Sequence, residues 1–295
     1  MKKRANALDN KVIVITGASS GIGKEVAVNL AHYNVKLVLI ARRKAKLYST
    51  MKEAKKNGAK VISIVGDIRE KYIQDKIFND TLKEFRTIDV FINNAGLGKA
   101  SKFEIQDEQE IDEMIQTNLI SVMKLTQKAI EIMKKQGKGH IINISSGLAF
   151  IPVSPLAVYC ATKAAIGVFD EALREELKKY NIKLTTIFPG PFKTEFSEVA
   201  NIKEEVFGGQ DVKIMRDNIL KAIEKPKDRI IIPTILRIGV EIIYRVPILK
   251  SLMNKKFSKM IYEGMIEGES KTKKKEHDKI KEEKPPKNTK KTVVS

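Results

Sequence analysis

Short runs of branched apolar residues recur along the chain, each followed by a longer stretch in which apolar positions return every three or four residues. The short runs are Val12–Thr16, Lys36–Ile40, Val61–Val65, Ile88–Ile92, His140–Ile144 and Lys183–Phe188, rich in Val and Ile and apolar at most positions. Strands apolar on both faces must be covered on both faces, which is the situation of a parallel sheet between two helical layers. The intervening stretches include Ile22–Tyr33, Tyr72–Phe85, Glu110–Lys135 and Ala157–Tyr180, whose spacing predicts helices. Strand and helix alternate, so the pattern predicts an α/β fold with a doubly wound parallel sheet. Arg229–Pro233 supplies a seventh strand, and Thr234–Met265 continues as a helical extension broken at Pro247. Residues 1–233 are expected to form one domain, with a substrate loop at about 193–228.

Beyond Gly268 the pattern stops. Residues 268–295 are rich in Lys, Glu, Pro and Thr and carry too little apolar surface to offset the entropy of ordering them. From Lys271 to Ser295 it holds ten lysines against four acids, for +6 of the formal net charge of +19. The surplus attracts anions of any kind. No aromatic platform or nucleic-acid motif accompanies it, and tryptophan is absent, so no specific nucleic-acid partner is expected. One cysteine, Cys160, excludes an internal disulfide and suits a reducing compartment. The basic N-terminus lacks the apolar run of a signal peptide, which points to the cytoplasm. Three scattered histidines and the cysteine provide no metal-ligand cluster, so no metal is expected.

The first strand runs straight into Thr16-Gly17-Ala18-Ser19-Ser20-Gly21-Ile22-Gly23 and then a helix. Glycines at 17, 21 and 23 allow a tight turn and a close backbone approach to a pyrophosphate, which then sits at a helix N-terminus. This is the signature of a Rossmann-type dinucleotide fold. At the end of the second strand an acid would bind the ribose 2′-hydroxyl of NAD(H). Here the sequence is Ala41-Arg42-Arg43-Lys44, which suits the 2′-phosphate of NADP(H), with Arg42 the first choice of contact and Arg43 the second.

Further motifs follow in order. They are Asp67-Ile68 after the third strand, Asn93-Asn94-Ala95-Gly96 after the fourth, and Asn118 in the long helix. Then come Ser146 after the fifth, Tyr159-x-x-x-Lys163, and Pro189-Gly190-Pro191-Phe192-Lys193-Thr194 after the sixth. With 28 residues from Asn118 to Ser146 and 13 from Ser146 to Tyr159, the set resembles the short-chain dehydrogenase/reductase family over residues 11–194. That resemblance implies hydride transfer between a nicotinamide and a small carbonyl/alcohol substrate. It implies catalytic roles for Asn118, Ser146, Tyr159 and Lys163. It also implies coenzyme contacts from Gly17, Ser19, Ser20, Gly21, Ile22, Gly23, Asp67, Ile68, Asn94, Ala95, Gly96, Tyr159, Lys163, Pro189, Gly190 and Thr194, and a homo-oligomer built through the long helices.

The chemistry suits these residue types. A phenol titrates near about 10, too high for easy proton exchange at neutrality, and a lysine one helical turn away is expected to lower that value. Tyr159 would then act as general acid, with Ser146 orienting the substrate oxygen. The pocket wall is expected from Lys193–Gln210 and the loop after Gly96. The extension offers Ile235, Leu236, Ile242, Ile243 and Val246 interrupted by Arg237, Glu241 and Arg245. It is too charged to span a bilayer; it suits a cap over the pocket or a dimer contact, or an interfacial helix on an anionic membrane helped by the lysine tail. A binding protein that senses NADP(H) without turnover is the competing class.

Overall fold

The computed structural model describes residues 8–200, 202, 209–234, 236, 240, 251–263 and 265. The basic tail, the first seven residues and most of the apolar run from 235 to 250 lie outside the described residues, with the expectations attached to them.

Seven strands form one parallel sheet: β1 Val12–Thr16, β2 Lys36–Ala41, β3 Lys60–Val65, β4 Val90–Asn93, β5 Gly139–Ile144, β6 Ile182–Pro189 and β7 Arg229–Ile232. Their spatial order is β3-β2-β1-β4-β5-β6-β7, the Rossmann-type order expected for two βαβαβ halves. The helices flanking the sheet are α1 Gly21–Leu30, α2 Lys44–Lys56, α3 Lys71–Phe85, α4 Glu108–Ile115, α5 Ser121–Gln136, α6 Ala157–Leu177, the short α7 Phe196–Val199 and α8 Val212–Glu224, and residues 251–263 are helical as well.

Alternation along each strand divides the core in two. Ile13 and Ile15 of β1 pack with α1, α2 and α8 on one face; Val12 and Val14 pack with α3, α5 and α6 on the other. Every residue of β1 is buried, because a parallel strand at the centre has no solvent face to offer. The chain changes direction across the sheet between β1 and β4, and the C-terminal ends of these neighbours frame the crevice where such folds take ligands.

Two expectations are corrected. The helix expected over Glu110–Lys135 is interrupted: α4 and α5 are joined by a π-helical turn at Gln116–Ile120. The stretch 193–228, expected as a substrate loop, contains α8, whose Met215, Ile219 and Ile223 are buried against the sheet and α1. Only its first part faces the site.

Candidate active site

At the C-terminal edge of the sheet two adjoining cavities open. The first, of about 340 Å³, runs from the glycine turn to the ends of β2 and β3, and is lined by Gly17, Ser19, Ser20, Ile22, Arg42, Arg43, Asp67, Ile68, Asn94, Ala95, Gly96 and Thr194. The second, of about 260 Å³, holds Ser146, Tyr159, Lys163, Pro189 and Gly190. Ile22, Asn94, Gly96, Thr194 and Phe196 line both.

The glycine turn is built for close approach. Gly17 has φ +70°, a left-handed value that disfavours side chains. A Cβ on Gly23 would stand 2.4 Å from the Gly17 carbonyl oxygen and 2.5 Å from Asn94 Nδ2. Asn94 closes the turn from β4, its Nδ2 donating to the Thr16 carbonyl at 3.0 Å. Thr16 Oγ1 accepts from the backbone N–H groups of Asn94 and Ala95, each at 3.0 Å. The first turn of α1 starts at Gly21, and its N–H groups have no partner within the helix. This cradle fits a pyrophosphate. Gly21 and Gly23 shape it without lining the cavity, and Thr194 packs 3.3 Å from where a Gly21 Cβ would sit.

The basic corner sorts its two arginines differently. Arg42 lies 3.0 Å from Glu113 and 3.6 Å from Asp67, while Arg69 also grips Asp67 at 2.7 Å. Burial raises the Asp67 carboxyl, but the Arg69 and Arg42 guanidiniums outweigh it and hold it below its ordinary value. Arg43 instead spans the glycine turn and the opposite wall, hydrogen-bonding the Ser19 and Ser20 hydroxyls and pairing with Glu195 at 2.6 Å. Thr117 Oγ1, buried and without a hydrogen-bond partner, faces this cavity. Nothing in the sequence singled it out beyond its place beside Asn118.

At the other end, Tyr159 and Lys163 stand one turn apart on α6, both buried. Lys163 Nζ lies 5.8 Å from the centre of the Tyr159 ring and donates to the Ile144 carbonyl at 2.9 Å. Burial pushes the Lys163 ammonium down to about 8. It also pushes the Tyr159 phenol up, opposed by a hydrogen bond from Ser146. The expected lowering by Lys163 is overturned: in this dry site desolvation of the phenolate is the larger effect, so Tyr159 is a neutral acid at pH 7.

Ser145 is spent on the Lys163 carbonyl, 2.7 Å from its Oγ, which leaves Ser146 as the hydroxyl beside Tyr159. Asn118 lines neither cavity. The π turn points it inward, where its carboxamide accepts from Leu97 N–H at 2.9 Å and donates to the Leu97 carbonyl at 2.8 Å and to Thr162 at 3.2 Å. It ties the loop after β4 to α6.

The walls around Tyr159 are apolar. They come from Leu148, Ile151, Val153 and Leu156, from Phe192 and Phe196, and from Leu236, Phe257 and Met260 of the extension. Phe196 packs against Tyr159 with ring centres 5.2 Å apart. The expected wall at 193–210 contributes Thr194, Phe196 and Gly209, and the loop after β4 contributes Gly96 at its start. Most of the surface comes from 147–156 and the extension, which apolar character alone did not distinguish from core. Helix 251–263 is fastened by Ser258 Oγ, which accepts from Ser154 N–H at 3.0 Å, and by Tyr262 and Ser154 hydroxyls 2.8 Å apart. Among the described residues no helix is long and apolar enough to cross a membrane, and no cluster of metal-binding side chains occurs.

The short chain dehydrogenase family profile matches residues 11–205, and the chain belongs to that family of nicotinamide-dependent oxidoreductases. An uncharacterized oxidoreductase of Staphylococcus epidermidis is 33% identical over 213 residues, 72% of this chain and 89% of that protein. The structure of a short-chain dehydrogenase from Sphingobium yanoikuyae in complex with NADPH superposes with a TM-score of 0.73 at 27% identity, covering 82% of this chain and 95% of that one. A Burkholderia phymatum short-chain dehydrogenase/reductase in complex with NAD shares the fold at 20% identity, with a TM-score of 0.77 over 83% of this chain and 96% of that one.

Proposed function

We propose that the protein is an NADP(H)-dependent reductase of neutral, apolar ketones or aldehydes. The observation that carries this reading is the junction of the two cavities: Ser146, Tyr159 and Lys163 face an apolar chamber that shares a wall with the glycine cradle. Bound NADPH would supply hydride at that junction. Tyr159, kept neutral by burial, donates its proton to the carbonyl oxygen, and the Ser146 hydroxyl orients that oxygen. Lys163, cationic below about pH 8, holds the nicotinamide ribose and offsets the negative charge left on the phenolate as Tyr159 gives up its proton. Asn118 is a positioning residue, holding Leu97 and, through Thr162, the turn of α6 that carries Tyr159 and Lys163.

The coenzyme preference rests on the basic corner. Against the expected order we place Arg43 first, because it lies over the Ser19 and Ser20 hydroxyls and faces one carboxylate, Glu195, where Arg42 faces two. Arg43 is therefore the first contact for a 2′-phosphate and Arg42 the second. The substrate class rests on the chamber, whose only ionisable linings among the described residues are Tyr159 and Lys163; with Lys163 committed to the coenzyme ribose, a charged substrate would find no free counter-charge to offset its desolvation. Leu236, Phe257 and Met260 make the extension a cap on this chamber and favour that role over membrane contact. Self-association through the long helices belongs to the same proposal, since Val168 on α6 is 70% exposed; light scattering showing only monomer would end that part.

The test is NADPH oxidation against neutral carbonyls of graded chain length, with Tyr159→Phe beside the wild type. Loss of a general acid is expected to lower kcat by about 10²–10⁴-fold with NADPH binding retained. Tight NADPH binding and no turnover on any carbonyl would favour the sensor reading.

A further inference from the structure

The Glu195 carboxylate occupies a place that a coenzyme phosphate would contest. Glu195 directly follows Thr194, on the wall of the coenzyme cleft opposite β2. Its two oxygens are each 2.6 Å from a cation, Oε2 from Arg43 and Oε1 from Lys46. Those cations hold the carboxyl down to about 2, so it is an anion at any physiological pH. Arg43 stands at the N-cap position of α2 and Lys46 lies in its first turn, which carries no acid of its own; a helix N-terminus adds its own attraction for negative charge. The same Arg43 guanidinium reaches the Ser19 and Ser20 hydroxyls. One corner thus gathers two cations, two hydroxyls and a helix start, and a side chain from across the cleft fills it.

All three side chains keep substantial solvent contact, 35% for Glu195, 44% for Arg43 and 51% for Lys46. Exposed pairs of this kind hold weakly. A phosphate dianion, which accepts paired hydrogen bonds from a guanidinium, is the stronger ligand. We propose that Glu195 is a specificity-determining residue of the coenzyme site: a built-in competitor that the 2′-phosphate must displace from Arg43 and Lys46. The inference rests on the NADP(H) reading above. It makes Glu195 a brake on NADP(H) affinity that leaves NAD(H), which has no 2′-phosphate, untouched.

Fluorescence titration of NADPH and NADH into wild type, Glu195→Gln, Arg43→Met and the double variant reads this without turnover. Glu195→Gln is expected to bind NADPH about two- to fivefold more tightly, the range of an exposed ion pair, with NADH binding unchanged. The gain should shrink in the Arg43→Met background, where Lys46 alone is left to contest. Wild type preferring NADPH, with Glu195→Gln binding it no better or more weakly, overturns the role of Glu195 alone. Equal NADPH and NADH affinities in the wild type overturn the coenzyme reading and this inference together. Equal tightening toward both coenzymes would also overturn it, since the 2′-phosphate would then be irrelevant.

Discussion

The coenzyme cleft and the substrate chamber adjoin, yet they are made in opposite ways. The cleft is assembled from residues at strand ends, Gly17 after β1, Arg42 after β2, Asp67 after β3 and Asn94 after β4, each with a defined hydrogen bond, ion pair or backbone angle. The chamber around Tyr159 is walled by apolar side chains from 147–156, 189–196 and the extension. A pyrophosphate demands N–H groups at fixed positions and no Cβ in the way, which only a few residue types satisfy. An apolar wall demands only volume, which many residues supply. Substitutions in the cleft should therefore act sharply and those in the chamber gradually.

The sharpest test is Gly23→Val. Its Cβ would overlap the Gly17 carbonyl, and the turn must open to admit it. NADPH Kd is expected to rise at least about 100-fold, the equivalent of roughly 3 kcal/mol of backbone strain and lost contacts; Kd within threefold of wild type, by fluorescence titration, would break the contrast. Next comes pH. Lys163, depressed to about 8, is cationic below that value and neutral above it. The rate of carbonyl reduction should fall as pH rises through 8, about tenfold per unit once only the minority cation is active. A flat rate profile from pH 7 to 9.5 would remove Lys163 from that role. The gentlest change is Phe257→Ala, which widens the chamber. It should raise KM for the preferred carbonyl about three- to twentyfold through lost apolar contact and shift preference toward bulkier substrates. NADPH affinity should stay fixed, and a parallel loss of it would show that the two regions are not separable.

The same contrast decides what was legible in the sequence. The strands could be placed because parallel, doubly covered strands are marked by apolar runs; β2 and β7 differ from expectation by a single residue and β1 by none. Gly17, Asn94, Ser146 and Tyr159 were legible because each stands at a fixed interval from a strand or from the others. The π turn was not, since one inserted residue in an under-wound turn leaves the three-to-four spacing of its neighbours almost intact. Helix α8 was hidden by treating 193–228 as loop, although Met215, Ile219 and Ile223 recur every four residues. The charge state of Tyr159 could not be read from Lys163's place in the chain, because burial enters only when the tertiary fold surrounds it. Leu236, Phe257 and Met260 carried no sign of facing a cavity rather than a core.

The cap has a further consequence, because its residues come after the sheet in the chain. Every described residue lining the coenzyme cleft lies at or before Val199, and the last strand ends at Ile232; Leu236, Phe257 and Met260 are all translated later. As the protein leaves the ribosome, the cleft is written first and one side of the apolar chamber last. A lineage could exchange that final segment, fastened at Ser154, and acquire a new substrate while inheriting its chemistry whole.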